Sequence, residues 1–256
     1  TDNVDGTIDG TSNQAENLTI TTGAGSLTIG GTIGGDNPVT TLSIAASGAG
    51  AIDLAGIGDG DTAGATGTTT VGNTTTTTLT LSGTVYKTDD SQTYVAKTGQ
   101  NIDITDAATF TTTNDAVAFN TAGVDLINGN AGGAHTITID TGTGAGAVTF
   151  GGAIESDGGD DETLTITSGT GTVTFTGALG ATQELGGLNV NASSGDGIIT
   201  FTGAIGDTNA PQAGVIGTSD IGNTTTTRID LDGGLYSFDG TTTFETTSGE
   251  TVAVGA

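Results

Sequence analysis

The chain has 256 residues, 33% hydrophobic and 4% aromatic, and carries a net charge of −26 from 29 acids against three bases, Lys87, Lys97 and Arg228. So acidic a chain lacks the basic patch that phosphate contacts need, and anionic membrane surfaces repel it, which excludes nucleic-acid binding and membrane insertion as expected functions. It has no Cys, hence neither disulfides nor thiol chemistry.

With 47 glycines and few bulky side chains, a thick globular core is excluded. The apolar residues are either scattered, as in a disordered chain, or ordered into a thin repeating core. Read in chain order, they are ordered. After Glu16 come Leu18 and Ile20, Gly23 and Gly25, Leu27 and Ile29, then Gly31, Ile33 and Gly34. Period-two apolar pairs predict strands with one buried face. The glycines between them predict turns at positive φ. Three short strands per unit describe one coil of a β-helix, whose coils stack about 4.8 Å apart and bury a core only together. The next copy carries Leu42, Ile44, Gly48, Gly50, Ile52, Leu54 and Ile57.

Residues 58–76 break the period and are expected to bulge as a loop. The threonine run 74–78 reads as strand by propensity, followed by Leu79, Leu81 and Tyr86. Residues 87–136 are the least repetitive and predict a lateral excursion. A further coil holds Ile137, Ile139, Gly142, Val148, Phe150 and Ile154. Residues 162–180 then repeat 16–34 without a gap, an offset of 146 from Glu16 to Glu162, and a coil with Leu188, Val190, Ile199, Phe201 and Ile205 follows. A second expected loop, 206–227, ends in Gly222-Asn223-Thr224-Thr225-Thr226-Thr227. It leads to Ile229, Leu231 and Tyr236, repeating the 72–86 stretch at an offset of 150 from Asn73 to Asn223. Thr109-Phe110-Thr111-Thr112 resembles Thr243-Phe244-Glu245-Thr246. The expected organisation is one all-β, right-handed parallel β-helix (a β-solenoid) over 1–256 with lateral loop insertions. Its cassettes lie at about 16–135 and 162–256, joined by a linking coil at 136–161. The chain opens at Thr1 and the second cassette stops at Ala256, so both ends are expected to be cuts or joints in a longer array.

The stretches Thr172-Val173-Thr174-Phe175-Thr176-Gly177-Ala178-Leu179-Gly180 and Gly197 to Gly206, together with Ser91-Gln92-Thr93-Tyr94, resemble the repeats of large exoproteins of the filamentous-haemagglutinin and autotransporter-adhesin type. The resemblance covers about two thirds of the chain. It implies a right-handed parallel β-helix, secretion to the cell surface, and a structural or adhesive role. It supplies no catalytic residues.

Candidate chemistry is sparse. His135, the single histidine, precedes a strand and reads as a surface or strand-edge residue, without a nucleophile elbow to serve. Calcium is the one cofactor for which the loops offer clustered hard ligands: Asp59 and Asp61 in one, Asp157, Asp160, Asp161 and Glu162 in another, with Asp2, Asp5 and Asp9 near the start. None of these matches an EF-hand loop or a calcium-binding nonapeptide repeat. Asn17, Asn73, Asn191 and Asn223 each open an Asn-x-Ser/Thr sequon for glycosylation. Along the sequence the coils do not keep one uniform threonine face, which argues against a flat array of the kind that binds ice.

These features predict an extracellular, cell-surface structural segment without catalysis, part of a filament, fibre or layer. It would associate end to end or continue a longer chain. The alternative is an adhesin whose lateral loops bind a glycan or protein ligand on a host or neighbouring cell. A polysaccharide-acting enzyme on the same scaffold is the third reading.

Overall fold

A computed structural model describes residues 2–11, 16–120, 122–127, 134–157, 162–191, 197–207 and 213–255. Among the described residues, twenty-four short strands form three sheets, and every strand pairing is parallel. Sheet I has ten strands: Asn17–Thr22, Thr41–Ala46, Thr69–Gly72, Gln92–Val95, Val117–Asn120, Val148–Phe150, Val173–Phe175, Ile198–Phe201, Arg228–Leu231 and Thr251–Val254. Sheet II has seven: Asp2–Val4, Leu27–Ile29, Ala51–Leu54, Thr78–Leu81, Asn101–Ile104, Gly123–Leu126 and Ile154–Ser156. Sheet III also has seven: Val85–Lys87, Thr109–Thr111, Thr136–Asp140, Thr163–Thr167, Gly187–Asn191, Ser219–Gly222 and Thr242–Glu245. The chain visits them in the fixed order I, II, III and climbs one level per turn. This is a parallel β-solenoid.

Where a sheet has no full strand, a single bridging residue holds its place. Ile33 and Ile57 lead up to Tyr86 on sheet III, and Leu179, Ile205 and Tyr236 continue sheet II beyond Ile154. Inward residues therefore form unbroken columns. One column runs Tyr94, Phe119, Phe150, Phe175 and Phe201, its rings stacked at centroid separations of 5.2, 5.1, 5.4 and 4.7 Å. Each fully buried apolar side chain of this kind contributes about 1.5–3 kcal/mol relative to exposure. One thin core thus links every level and compensates for the low apolar content.

Three local expectations give way. The described part of 87–136 is no excursion: it supplies the strands Gln92–Val95, Asn101–Ile104, Thr109–Thr111, Val117–Asn120 and Gly123–Leu126, all in register with their neighbours, while residues 121 and 128–133 lie outside the described residues. Residues 58–76 and the described part of 206–227 are also largely built into the wall, through the bridges of Ala65 and Val215 and the strands Thr69–Gly72 and Ser219–Gly222; residues 208–212 lie outside the described residues. The threonine runs form turns up to Thr77 and Thr227, with Thr78 already in strand, because the Asn73 side chain outcompetes strand propensity. Its Oδ1 accepts from the backbone N–H of Thr75 (2.9 Å) and Thr76 (3.2 Å), and Thr76 Oγ1 accepts from Asn73 N–H (3.0 Å). Asn223 builds the same turn, accepting from Thr225 N–H at 2.7 Å.

The glycine turns also have a different cause from the one expected. Gly34 and Gly180 do sit at positive φ, 71° and 60°. Gly169 and Gly171 do not. A Cβ there would lie 2.1 Å from the carbonyl carbon of Thr143 and 2.0 Å from the carbonyl oxygen of Gly146, in the coil beneath. Close stacking demands glycine at those two positions.

The sequence repeat is not in phase with the coils. Asn17–Thr22 lies on sheet I, whereas its copy, Thr163–Thr167, lies on sheet III, five turns and two sheets further along. The same shift moves Leu27–Ile29 on sheet II to Val173–Phe175 on sheet I, Thr69–Gly72 on sheet I to Ser219–Gly222 on sheet III, and Asn101–Ile104 on sheet II to Thr251–Val254 on sheet I. Each copy is therefore rotated by one face. Thr109–Thr111 and Thr242–Glu245 share sheet III, but the cassette partner of Thr242–Glu245 is Gln92–Val95: Gly72 pairs with Val95 as Gly222 pairs with Glu245.

Candidate functional site

The acidic turn at Asp59 is closed upon itself. Asp59 Oδ1 accepts from the N–H groups of Asp61 (2.8 Å) and Thr62 (2.5 Å). These bonds, that from Thr62 foremost, hold the carboxyl below the usual aspartate range. The carbonyl oxygens of Gly60 and Asp61, which a calcium ion would need, accept instead from Lys87 Nζ at 3.0 and 2.9 Å. An ammonium thus occupies the cation position of this turn.

The second acidic loop is split. Asp157 is exposed, Asp160 and Asp161 lie outside the described residues, and Glu162 turns inward until it is fully buried. Ser156 Oγ donates to Glu162 Oε2, while Oε1 faces His135 Nδ1 at 4.0 Å. Glu162 Oε1 and His135 Nε2 are buried without a hydrogen-bond partner. His135 does lie at a strand edge, but its side chain is only 12% exposed, so the surface reading fails. Near the start of the chain, Asp9 Oδ1 caps the N–H groups of Asp36 and Asn37, and Asp5 accepts from Asn3. Among the described residues, no three or more His, Asp or Glu side chains converge on one point.

The sequon asparagines differ in setting. Asn17 is exposed and its Oδ1 accepts from Thr41 Oγ1 at 2.8 Å. Asn73 is half-buried and its Nδ2, the atom a glycan would take, donates to Ala46 O at 2.8 Å. Asn223 occupies the equivalent turn, and the side chain of Asn191 lies outside the described residues.

Two surface columns escaped the sequence reading because both depend on coil register. On sheet II, Asp103 is paired with Asp125, and Asp125 with Glu155. Partial burial pushes the carboxyl of Asp103 up, and the charge of Asp125 adds to this. Burial raises Asp125 too, against the Asn101 amide, which donates to it at 2.6 Å. Each carboxylate nevertheless has a structural task or a polar neighbour: Glu155 Oε2 accepts from the N–H groups of Thr182 and Gln183, both at 3.0 Å.

On sheet I, the outward column runs from Thr19 through Ser43, Thr70 and Thr93, passes Ala118, and continues through Thr149, Thr174 and Thr200. The flanking outward positions include Asn17, Thr41, Thr21, Ala45, Val95, Asn120 and Ile198. Across eight consecutive strands this face carries no charge, on a chain of net charge −26. An uncharged column made mostly of hydroxyl residues therefore exists, but it is interrupted at Ala118 and is not a uniform threonine face. Charge returns only with the ion pair of Arg228 and Asp230, 2.8 Å apart on the ninth strand.

No known protein family matches this sequence, and no match was found among curated proteins or solved structures.

Proposed function

We propose that the chain is a structural segment of a secreted cell-surface filament, fibre or layer. The observation that carries this reading is the unbroken set of core columns, which joins all levels into one rod with its strength along the axis. Repeat stacking of this kind extends by adding levels, since each coil contacts only its neighbours. The resemblance to exoproteins of the filamentous-haemagglutinin and autotransporter-adhesin type points the same way, as does an acidic surface that keeps a repetitive rod soluble. The uncharged face of sheet I favours an assembling role over that of an adhesin acting through lateral loops, because the regions expected to form those loops are mostly wall.

Electron microscopy of the purified chain tests this. Rods that join end to end into filaments with an uninterrupted coil spacing are expected. Discrete rods of single-chain length at all concentrations and salt conditions would reject self-assembly, and saturable binding of a glycan or protein through the corners would favour the adhesin.

A further inference from the structure

We propose that the outer face of sheet I is a lateral packing surface and that its partner is the same face of a second copy of this chain. The inference deepens the structural reading above and rests on it.

Three observations converge on this face. The first is charge. Two copies at −26 each repel strongly, and sheet II presents Asp53, Asp103, Asp125 and Glu155 outward, while sheet III presents Asp140, Asp220 and Glu245. Sheet I alone lets two copies approach without stacking like charges. Glu16, Asp90, Asp115 and Lys97 sit at the corners where the chain enters or leaves these strands. They form a charged rim around a neutral centre, the usual anatomy of an interface.

The second observation is spacing. The hydroxyl column repeats at the strand separation of about 4.8 Å. A partner in register over eight levels must have the same period, and another parallel solenoid has it by construction. A two-fold axis through the face makes the contact isologous and closed. The outward residues are Thr, Ser, Ala, Val and Asn, with Ile198 on the eighth strand, and sheets faced with such side chains pack at about 10 Å.

The third is area. Eight levels of about 4.8 Å and strands of about four residues give about 500 Å² per copy, or about 1,000 Å² for the pair. That reaches the threshold for a specific contact and corresponds to a weak pair that forms as concentration rises.

The test uses the full chain in analytical ultracentrifugation and electron microscopy at about 0.15 M salt and above, where long-range repulsion is screened. The wild type is expected to sediment as a concentration-dependent dimer, with particles of doubled width. Thr149→Glu with Thr174→Glu, which places two carboxylates on each of the paired faces, on the sixth and seventh of the eight strands, is expected to give single-width particles. The same two charges added on sheet III, as Thr138→Glu with Thr165→Glu, are expected to leave pairing intact. Circular dichroism confirms that each variant keeps its strand content. A wild type of single width throughout, or pairing that survives Thr149→Glu/Thr174→Glu, overturns the proposal. So does a flat polysaccharide that binds the monomer and is lost in that variant, since the face then has another partner. Width and length separate the two readings: filaments that lengthen but never double reject the lateral pair alone, and pairs that never lengthen reject the end-to-end filament alone.

Discussion

Tyr94 donates its hydroxyl to Gln92 Oε1 across 2.9 Å inside the core, where both side chains are fully buried. The amide nitrogen of Gln92 in turn donates to Tyr86 O (2.9 Å), Thr111 O (2.9 Å) and Thr88 Oγ1 (3.1 Å). One amide thereby ties successive levels together at the corner between sheets III and I. The same low dielectric that strengthens such a network makes its fragments expensive.

Gln92→Ala is therefore expected to cost more than its lost apolar contact. It leaves the Tyr94 hydroxyl without its buried acceptor and takes one donor from Tyr86 O and from Thr111 O, the latter keeping the N–H of Thr88. A buried group left unpaired costs about 1–3 kcal/mol, so a loss of about 2 kcal/mol is expected. Urea unfolding reads this as a lower midpoint. A loss below about 1 kcal/mol would show that the network is not cooperative.

Gly203 lies where a Cβ would meet Gly177 O at 2.0 Å and its carbonyl carbon at 2.2 Å. Its φ is not among the positive values, so any penalty is one of stacking. Gly203→Ala is expected to destabilise by about 2 kcal/mol or more, because the backbone beneath cannot yield cheaply. Gly23→Ala is the control: nothing lies within 4 Å of its Cβ, and a change within about 1 kcal/mol is expected. Equal losses at both positions in thermal unfolding would refute the stacking argument.

The paired carboxylates on sheet II set a pH dependence with a definite sign. Burial and mutual repulsion raise Asp103 in the folded state. The folded chain therefore holds its proton more tightly than the unfolded one. That contribution is fully present below the ordinary aspartate range and is lost as pH rises through the raised value. Asp103→Asn is expected to raise the melting temperature slightly at pH 7, by the few tenths of a kcal/mol that half-exposed pairs are worth after solvent screening, and to do nothing at pH 3. A benefit that is largest at pH 3 would reverse the sign and reject the account.

Much of this fold was readable in the sequence, and the exceptions have a common physical origin. Leu18-x-Ile20 and Val173-x-Phe175 announce strands because the period-two pattern is a local property. The stacking partner of each residue is not local. It is fixed by coil length, which ranges from 22 residues between Ile102 and Val124 to 31 between Val117 and Val148. A repeat of 146 residues therefore looks like a whole number of coils when it is five and two thirds. The neutral column from Thr19 to Thr200 and the Asp103–Asp125 pair are hidden for the same reason. The Asn73 turn failed differently: one side chain accepting two backbone N–H groups overrode a run of strand-forming threonines.

The rotated repeat makes a last prediction, on the tyrosines that close equivalent corners. Tyr86 Oη accepts from Gly83 N–H at 3.0 Å and donates to Leu54 O at 2.7 Å, on sheet III with stacked coils above and below. Tyr236, its copy, accepts from Gly233 N–H and reaches Phe201 O at 3.4 Å, on the sheet II column and half-buried. Burial lifts both phenols above their ordinary range, Tyr86 much the further. The chemistry of the two corners is the same and the burial is not, so removal of each hydroxyl isolates the effect of burial. Tyr86→Phe leaves the N–H of Gly83 unpaired in the core, while Leu54 O keeps the N–H of Ser82, and about 1–3 kcal/mol should be lost. At Tyr236→Phe water can replace the hydroxyl, and a loss under about 1 kcal/mol is expected. If Tyr236→Phe proves the more damaging in urea unfolding, repeat position rather than depth in the stack governs these bonds, and the rotation would carry no energetic consequence.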